Sequence, residues 1–393
     1  MVEEPARLPA ADWTGRDDLA ALARALGSGN IRWVGGAVRD TLLGHKMADV
    51  DAATPLHPPE VTRRLADDGI RAIPTGIEHG TVTAVLPGGN VEITTLRRDV
   101  ATDGRHATVA FASDWQEDAA RRDFTINALY ADPDTLAVHD WFGGLADLAA
   151  RRVRFVGEPA QRIREDHLRI LRYYRFQARF GAALDADAEK ACAALAPMLK
   201  GLSRERVASE LLGLLVLPDP HPTIARMLEH GVLPVVLPEA GVSEVAALGR
   251  LLAAETAAGV PPRALRRLAA LLPANPPLAE QVAARLRLST AQRKRLATLA
   301  AREAVFEPAR ALAYRIGREE AADWLLLTGA DPAPLAGWEA PSFPLKGGEI
   351  VARGVAAGPE VARILQAVER RWIAEGFPPR ARVEELLAEE LGG

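Results

Sequence analysis

The sequence predicts an α+β protein: a small head of mixed strands and helices over residues 31–145, followed by an all-helical neck, body and tail. Three observations carry this. Residues 31 to about 140 interleave short alternating runs, helix-period runs and strong turn signals. From about Ala146 apolar residues recur at helical spacing almost to the end, and Leu, Ala, Arg and Glu dominate. Pro/Gly punctuation at 218–222, 231–238, 258–262, 273–277 and 331–348 divides that stretch without a fixed-period repeat. The expected divisions are an N-terminal helical extension (1–30), the head (31–145), a helical neck (146–217), and a helical body and tail (218–393).

Within the head, Ile31–Val34 reads as a strand, Gly35 and Gly36 as a turn, and Ala37–Leu43 as a helix. The segment DVDAA (49–53) reads as a second strand and Pro58–Asp68 as a helix. A short strand (Arg71–Ile73), the turn TGIEHG and an alternating run (Thr81–Leu86) follow. PGGN (87–90) is a hairpin turn, with VEITT as the returning strand, so Val91 and Ile93 share one face and Glu92 and Thr94 the other. Residues 97–117 are polar, contain Gly and have no clear period, which predicts a mobile loop. A helix near Glu117–Asp123 is expected to continue into FTINALY, and VHDWFGG (138–144) closes the head.

At 393 residues the chain exceeds one hydrophobic core, and 48% apolar residues are ample for burial. No apolar run approaches membrane-span length, and the N-terminus lacks a charged-then-apolar signal pattern. The single cysteine, Cys192, excludes a disulfide framework and reads as a small core residue, which fits a reducing cytoplasm. Forty-eight basic and 52 acidic side chains give a net charge of −4, which argues against indiscriminate coating of nucleic acid but allows a local basic groove.

The chemistry concentrates in WVGGAVRDTLLGHKMADVDAAT (33–54). On a strand, Asp49 and Asp51 leave the same face and repel each other unless a cation sits between them. Hard divalent ions, Mg²⁺ above all, suit such a pair and commonly bring phosphate with them. Upstream, the Gly35–Gly36 turn feeds a helix whose first turn holds Arg39, a geometry that lets backbone N–H groups and a guanidinium approach phosphate oxygens. A DxD pair alone is often a solvated acidic pair, and GG alone an ordinary turn. Their combination with a strand, a helix and Arg39 is far more specific and predicts a nucleotide held by glycine backbone and arginine, with metal on the aspartates.

Two arginine clusters follow. RRDFTINALY places Arg121, Arg122 and Asp123 beside an apolar helical run. In EDHLRILRYYRF (165–176), a single helix would put Asp166, Arg169, Arg172 or Tyr173, and Phe176 on one side, with Ile163, His167, Ile170, Leu171 and Tyr174 as the buried stripe. One reading is an exposed helix with Asp–Arg pairs; the sharper one is base reading, because Asp offers acceptors and Arg a planar fork of donors.

Together these pieces resemble the class II tRNA nucleotidyltransferases, the CCA-adding enzymes, and the closely related bacterial poly(A) polymerases. VGGAVRDTLLG with ADVDAAT, TGIEHGTVTAVL with VEITTLRRD, RRDFTINAL, and REDHLRILRYYRFQARFG carry the likeness over roughly residues 31–182, and HGVLPVVLPE and LKGGEIVARGVAAGPEVARILQAVERRWIAEGFP extend it more weakly. The resemblance implies a nucleotidyltransferase head with a polymerase-β-like mixed sheet. It implies that Gly36, Arg39 and Arg122 contact the nucleotide, that Asp49 and Asp51 bind catalytic Mg²⁺, and that Glu92 is a candidate third carboxylate. It also implies that Asp166 and Arg169 pair with the base of CTP or ATP, with Arg172 and Arg175 nearby, Glu165 in support, and Arg105 and His106 in a loop that helps switch selection from C to A. An RNA 3′-hydroxyl would attack the α-phosphate of an NTP, one metal activating the hydroxyl and the other stabilising the departing pyrophosphate. The implied partners are CTP, ATP and the 3′ end, acceptor stem and elbow of tRNA, with Arg263–Arg267 and Arg285–Arg295 as candidate contacts in the body, although each stretch taken singly reads more readily as a solvated helix face; no membrane is expected, and the oligomeric state is left open. Poly(A) addition, CC-only or A-only addition, and a non-catalytic RNA- or nucleotide-binding protein are the competing readings. The eight histidines are scattered, so an appended His-Asp phosphohydrolase domain is not expected, and His139 reads as a packing partner of Trp141.

Overall fold

The structure is a computed structural model that describes residues 6–47, 49–76, 80–102, 107–302 and 307–392. The chain divides into two compact units, Met1–Pro238 and Glu239–Gly393. The first unit contains strands β1 (Arg32–Val34), β2 (Val50–Thr54), β3 (Arg71–Gly76), β4 (Thr81–Val85), β5 (Val91–Thr95), β6 (Arg97–Thr102), β7 (Ala107–Phe111), β8 (Leu129–Ala131) and β9 (Val138–Asp140). Seven of them form one mixed sheet in the order β3-β4-β5-β2-β1-β8-β9, and β6 pairs with β7 alone. β2 and β5 run parallel, whereas the other neighbours in the sheet are antiparallel. The β4–β5 hairpin turns through Gly89, whose φ of 121° favours glycine.

The helices of this unit are α1 (Asp17–Leu26), α2 (Gly36–Leu42), α3 (Pro58–Asp67), α4 (Trp115–Ala120), α5 (Gly144–Ala149), α6 (Pro159–Glu165), α7 (Arg169–Phe180), α8 (Ala186–Leu195), α9 (Arg204–Leu215), α10 (His221–Glu229) and α11 (Leu233–Val236). Their starts follow local chemistry: Glu158 caps α6 ahead of Pro159, and Asp185 and Ser203 cap α8 and α9 through side-chain oxygens. Cys192 is fully buried in α8. Strand alternation sorts the sheet: Val91 and Ile93 are buried, and Glu92 between them is exposed. Aromatic packing ties the segments around Phe124 and Phe155 to α7. Phe124 lies 5.0 Å from Phe155 and 5.1 Å from Phe176, and Phe155 stacks on Tyr173.

Four expectations are corrected. Residues 97–117 are not a single loop: β6 and β7 pair antiparallel from Arg97↔Phe111 to Thr102↔Ala107. The two-stranded ribbon lies outside the main sheet and is held by backbone pairing between its strands. The helix expected to run through FTINALY stops at Ala120; Phe124 is extended (φ −120°, ψ 148°), and Leu129–Ala131 becomes a strand on the edge of β1. The helix expected across Glu165–Phe176 is broken, because Asp166 is extended (φ −149°, ψ 107°) and its side chain accepts the Leu168 N–H. The face expected to stay open there is also wrong in part, since Tyr173 and Phe176 are buried along with Ile163, Ile170, Leu171 and Tyr174.

The fourth correction lies in the second unit, whose helices are α12 (Val242–Ala258), α13 (Ala264–Ala270), α14 (Pro276–Arg285), α15 (Thr290–Ala300), α16 (Ala309–Ile316), α17 (Arg318–Thr328), α18 (Gly347–Val351), α19 (Pro359–Ala374) and α20 (Arg380–Gly392). One core gathers Leu312 and Trp324, and another gathers Ile350, Trp372 and Leu386. Arg266 and Arg267, read from the sequence as candidate RNA contacts or solvated helix faces, are only 2% and 3% exposed and are neither. Arg266 donates to Glu255 and Asp323 at 2.7 Å, Arg267 donates to Glu255, Arg295 reaches Asp323 at 2.5 Å, and Arg285 pairs with Glu239. Arg266, Arg267, Glu255 and Asp323 form a buried ion network that Arg295 joins from its rim, whereas Arg285 pairs separately with Glu239. Glu255→Ala is expected to destabilise the protein by about 3–5 kcal/mol, because two buried guanidiniums lose their shared counter-charge. Urea denaturation followed by tryptophan fluorescence reads it; a loss under about 1 kcal/mol would contradict the network's role.

Candidate active site

The turn after β1 sets the site. Gly35 has φ 63° and ψ −122°, a conformation that L side chains rarely adopt. A methyl group there would sit 3.4 Å from the Arg122 guanidinium, and one on Gly36 would sit 3.7 Å from Arg39 Nη2, so both arginines flank the glycine turn. Val34, the last residue of β1, pairs with Asp51 on β2, and Asp51 pairs in turn with Glu92 on β5. Cross-strand partners share a face, so Asp51 and Glu92 stand side by side. The strand expected over DVDAA begins at Val50, so Asp49 precedes β2 rather than belonging to it; Val50 is buried and both aspartates are exposed.

Val34, Asp51, Ala52, Glu92, Thr94, Arg97, Arg121 and Arg122 line a cleft of about 230 Å³. Although Asp51 is open to solvent, partial burial by the cleft walls pushes its carboxyl above the ordinary range; Glu92 and Asp49 add to the rise and Arg122 opposes it. The carboxylates thus crowd one another. Among the described residues no three His, Cys, Asp or Glu groups are set to hold a metal by themselves. Magnesium is commonly held by one or two carboxylates completed by substrate phosphates, and this donor set fits that pattern. A larger hollow of about 500 Å³ lies within the second unit, where Arg266 pairs with Asp323 and Arg263 with Glu319.

Arg122 is braced from behind. Its Nε donates to Tyr130 Oη at 2.7 Å, and its Nη2 lies 3.3 Å from Asp118. Burial raises the Asp118 carboxyl, but Arg122, Arg121 and the Tyr130 hydroxyl outweigh burial and bring it down to about 2. Arg39 is nearly buried; Nε donates to Asp40 and Nη1 to Asn127 Oδ1 at 2.5 Å, which leaves Nη2 beside Gly36. Its guanidinium also lies over the Phe180 ring at 4.4 Å.

The segment 121–123 connects the cleft to α7. Arg169 donates to the Arg121 carbonyl at 3.1 Å, to the Arg162 carbonyl at 2.9 Å and to Glu165 at 2.5 Å. Glu165 therefore holds Arg169, as expected. Asp166 does not pair with Arg169; its Oδ2 accepts from Arg206 of α9 at 2.6 Å. Arg172 binds Asp123 at 2.5 Å and Arg175 binds Glu210 at 2.6 Å. Arg105 and His106 lie outside the described residues. Sequence reasoning missed Arg97, Asn127 and Arg206, each tied to a partner 21 to 88 positions away that leaves no local spacing signal, although Asn127 also donates to Asp123 four residues before it. His139 stacks on Trp141 at 5.8 Å and takes no part in the cleft.

A mixed sheet presenting paired carboxylates beside a glycine turn and arginines defines a nucleotidyltransferase head, and residues 31–154 match the family model described as "Poly A polymerase head domain". Residues 181–242 match "Probable RNA and SrmB- binding site of polymerase A". The chain is 35% identical to the mitochondrial CCA tRNA nucleotidyltransferase 1 of Mus musculus over 91% of its own length and 86% of that protein. It is 42% identical to the CCA-adding enzyme of Streptococcus gordonii over 51% of this chain and 50% of that enzyme. The crystal structure of the Bacillus stearothermophilus CCA-adding enzyme in complex with CTP superposes with a TM-score of 0.74 at 28% identity, covering 91% of this chain and 92% of that one. The chain belongs to the CCA-adding tRNA nucleotidyltransferase family.

Because Glu92 helps to raise the Asp51 carboxyl, Glu92→Gln should lower its pKa. Carboxyl-carbon NMR titration of the metal-free protein reads the shift, and an unmoved Asp51 titration would show that Glu92 does not crowd it.

Proposed function

We propose that this chain adds C, C and A to the 3′ end of tRNA without a nucleic-acid template, using CTP and ATP and releasing pyrophosphate. The supporting observation is the side-by-side pair Asp51 and Glu92 in a cleft that also holds Arg121 and Arg122 and is joined through residues 121–123 to α7. Family membership implies dependence on a divalent metal, and we infer Mg²⁺, with Asp49 and Asp51 as donors and Glu92 beside them. The crowding that raises the Asp51 carboxyl is the repulsion a cation would relieve. When bound, the ion would neutralise charge on the reacting phosphates and ease loss of the 3′-hydroxyl proton.

The protein's own groups supply binding and orientation. The Gly35–Gly36 turn lets the triphosphate approach the backbone, and Arg122 and Arg39 Nη2 offer it donors. Arg169 keeps Nε unengaged by protein among the described residues, and each Asp166 oxygen has a lone pair to spare, so the two can address a base edge in common. Arg172 and Arg175 fix α7 to its neighbours, which steadies Arg169 on the same helix. A pocket that leaves buried donors unpaired for the wrong base discriminates strongly without a template. Single buried Cys192 accords with a cytoplasmic location, and among the described residues no helix is long and apolar enough to cross a membrane.

The deciding assay supplies tRNA lacking its 3′ end together with CTP and ATP. Three added nucleotides, C, C and A, are expected. An A-only ladder would instead mean poly(A) polymerase, and two or one additions a partial enzyme. In the same assay Asp51→Ala is expected to lower kcat by about 10³-fold or more, the loss of about 4 kcal/mol of transition-state stabilisation. Arg169→Ala should narrow the CTP/ATP preference by about tenfold while tRNA affinity changes by less than about threefold. Unchanged nucleotide selectivity would remove Arg169 from base reading.

A further inference from the structure

A closed circuit of hydrogen bonds leaves α7 and returns to it. Arg172 donates to Asp123 Oδ2, and Asp123 Oδ1 accepts from Asn127 Nδ2 at 2.9 Å. Asn127 Oδ1 accepts from Arg39 Nη1 at 2.5 Å, Arg39 Nε donates to Asp40 at 2.9 Å, and Asp40 Oδ2 accepts from Arg179 at 3.2 Å. Arg172 and Arg179 lie two turns apart on α7. The path between them passes through the 121–127 segment and the helix that follows the glycine turn. Asn127 is 7% exposed and is the one uncharged side chain in the circuit.

Its amide is suited to the place. Arg39 can only donate and the Asp123 carboxylate can only accept, so the group between them must accept on one side and donate on the other. Aspartate at 127 would keep Arg39 but set two buried carboxylates against each other, and an aliphatic side chain would strand both neighbours. The Asp123 carboxyl is held below its ordinary range, since Arg172 and Asn127 together overcome its burial.

We propose that Asn127 is a positioning residue that fixes the register between the glycine turn and α7, so that the triphosphate contacts and the base contacts of one nucleotide are presented together. Neither end of the nucleotide needs to touch it. The proposal rests on the assignment of Gly36, Arg39, Arg169 and Asp166 to nucleotide binding made above. Loss of the register lets each end bind in turn while the α-phosphate sits off line, so kcat suffers more than KM.

The test exchanges the two groups. Asn127→Asp alone should lower kcat for CTP addition by about tenfold or more, with KM for CTP within about threefold of wild type. Adding Asp123→Asn restores a donor facing an acceptor in the reversed order, and the double variant should recover at least about fivefold of the lost kcat. A double variant no faster than Asn127→Asp overturns the proposal. If either protein fails to fold, Asn127→Ala carries the question through the cycle of Arg39→Lys and Arg172→Lys. In wild type these two changes should be non-additive by about fivefold in kcat/KM, and in Asn127→Ala additive within about twofold. Non-additivity that survives in Asn127→Ala also overturns the proposal. Wild-type CCA addition, measured in parallel, tests the underlying reading separately: an inactive wild type refutes that reading and the proposal that rests on it, whereas an active wild type with no effect at Asn127 refutes only the coupling.

Discussion

The structure turns on a repulsion. Asp51 and Glu92 are direct partners across the parallel β2–β5 pair, with Asp49 just outside the strand, and the parallel register allows no separation of the first two. Such a pair is unfavourable in an otherwise neutral protein, and nothing in the packing of the sheet requires it. The surrounding architecture manages it with cationic charge at a distance: Arg122 lowers the Asp51 carboxyl but is itself held back by Tyr130 and Asp118. The arginines of the cleft therefore moderate the carboxylates without neutralising them, which leaves room for a cation and for phosphate.

A second constraint ties this cleft to the helices. Residues 121–123 supply a guanidinium to the glycine turn, a carbonyl to Arg169 and a carboxylate to Arg172. Phe124 then packs against Phe155 and Phe176, so the same short segment contributes to the cleft, to the anchoring of α7 and to the aromatic core. That threefold demand explains why RRDF abandons helix at Ala120. A continuing helix would turn the backbone carbonyl of Arg121 into a helical bond and take Phe124 away from its partners.

Much of the site was legible in the residues. The strand, glycine turn, helix and DxD order was visible because each element carries its own local signal, and the PGGN hairpin placed Glu92 on the outward face of its strand. Two of the errors share a cause. Leu129–Ala131 is a strand because β1 offers it a free edge, and β6–β7 is a ribbon because two short neighbouring segments pair with each other; neither pairing is encoded in local periodicity. The break at Asp166 was hidden for the opposite reason. One aspartate side chain capturing a backbone N–H interrupts a segment whose apolar spacing is helical on both sides.

The arginines draw the line between the two sources of information most clearly. By itself the sequence determined which chemistry is possible: adjacent carboxylates, a glycine turn and clustered guanidiniums, each a property of residue type and near spacing. Tertiary structure alone decided which arginines remain available. Arg266 and Arg267 are consumed by Glu255, and Arg172 and Arg175 are anchored by Asp123 and Glu210, while Arg122 and one nitrogen of Arg39 still face the glycine turn. The physical reason is that a guanidinium has the same charge and donors wherever it stands, and only the distance to a carboxylate far away in the chain fixes whether those donors are already taken.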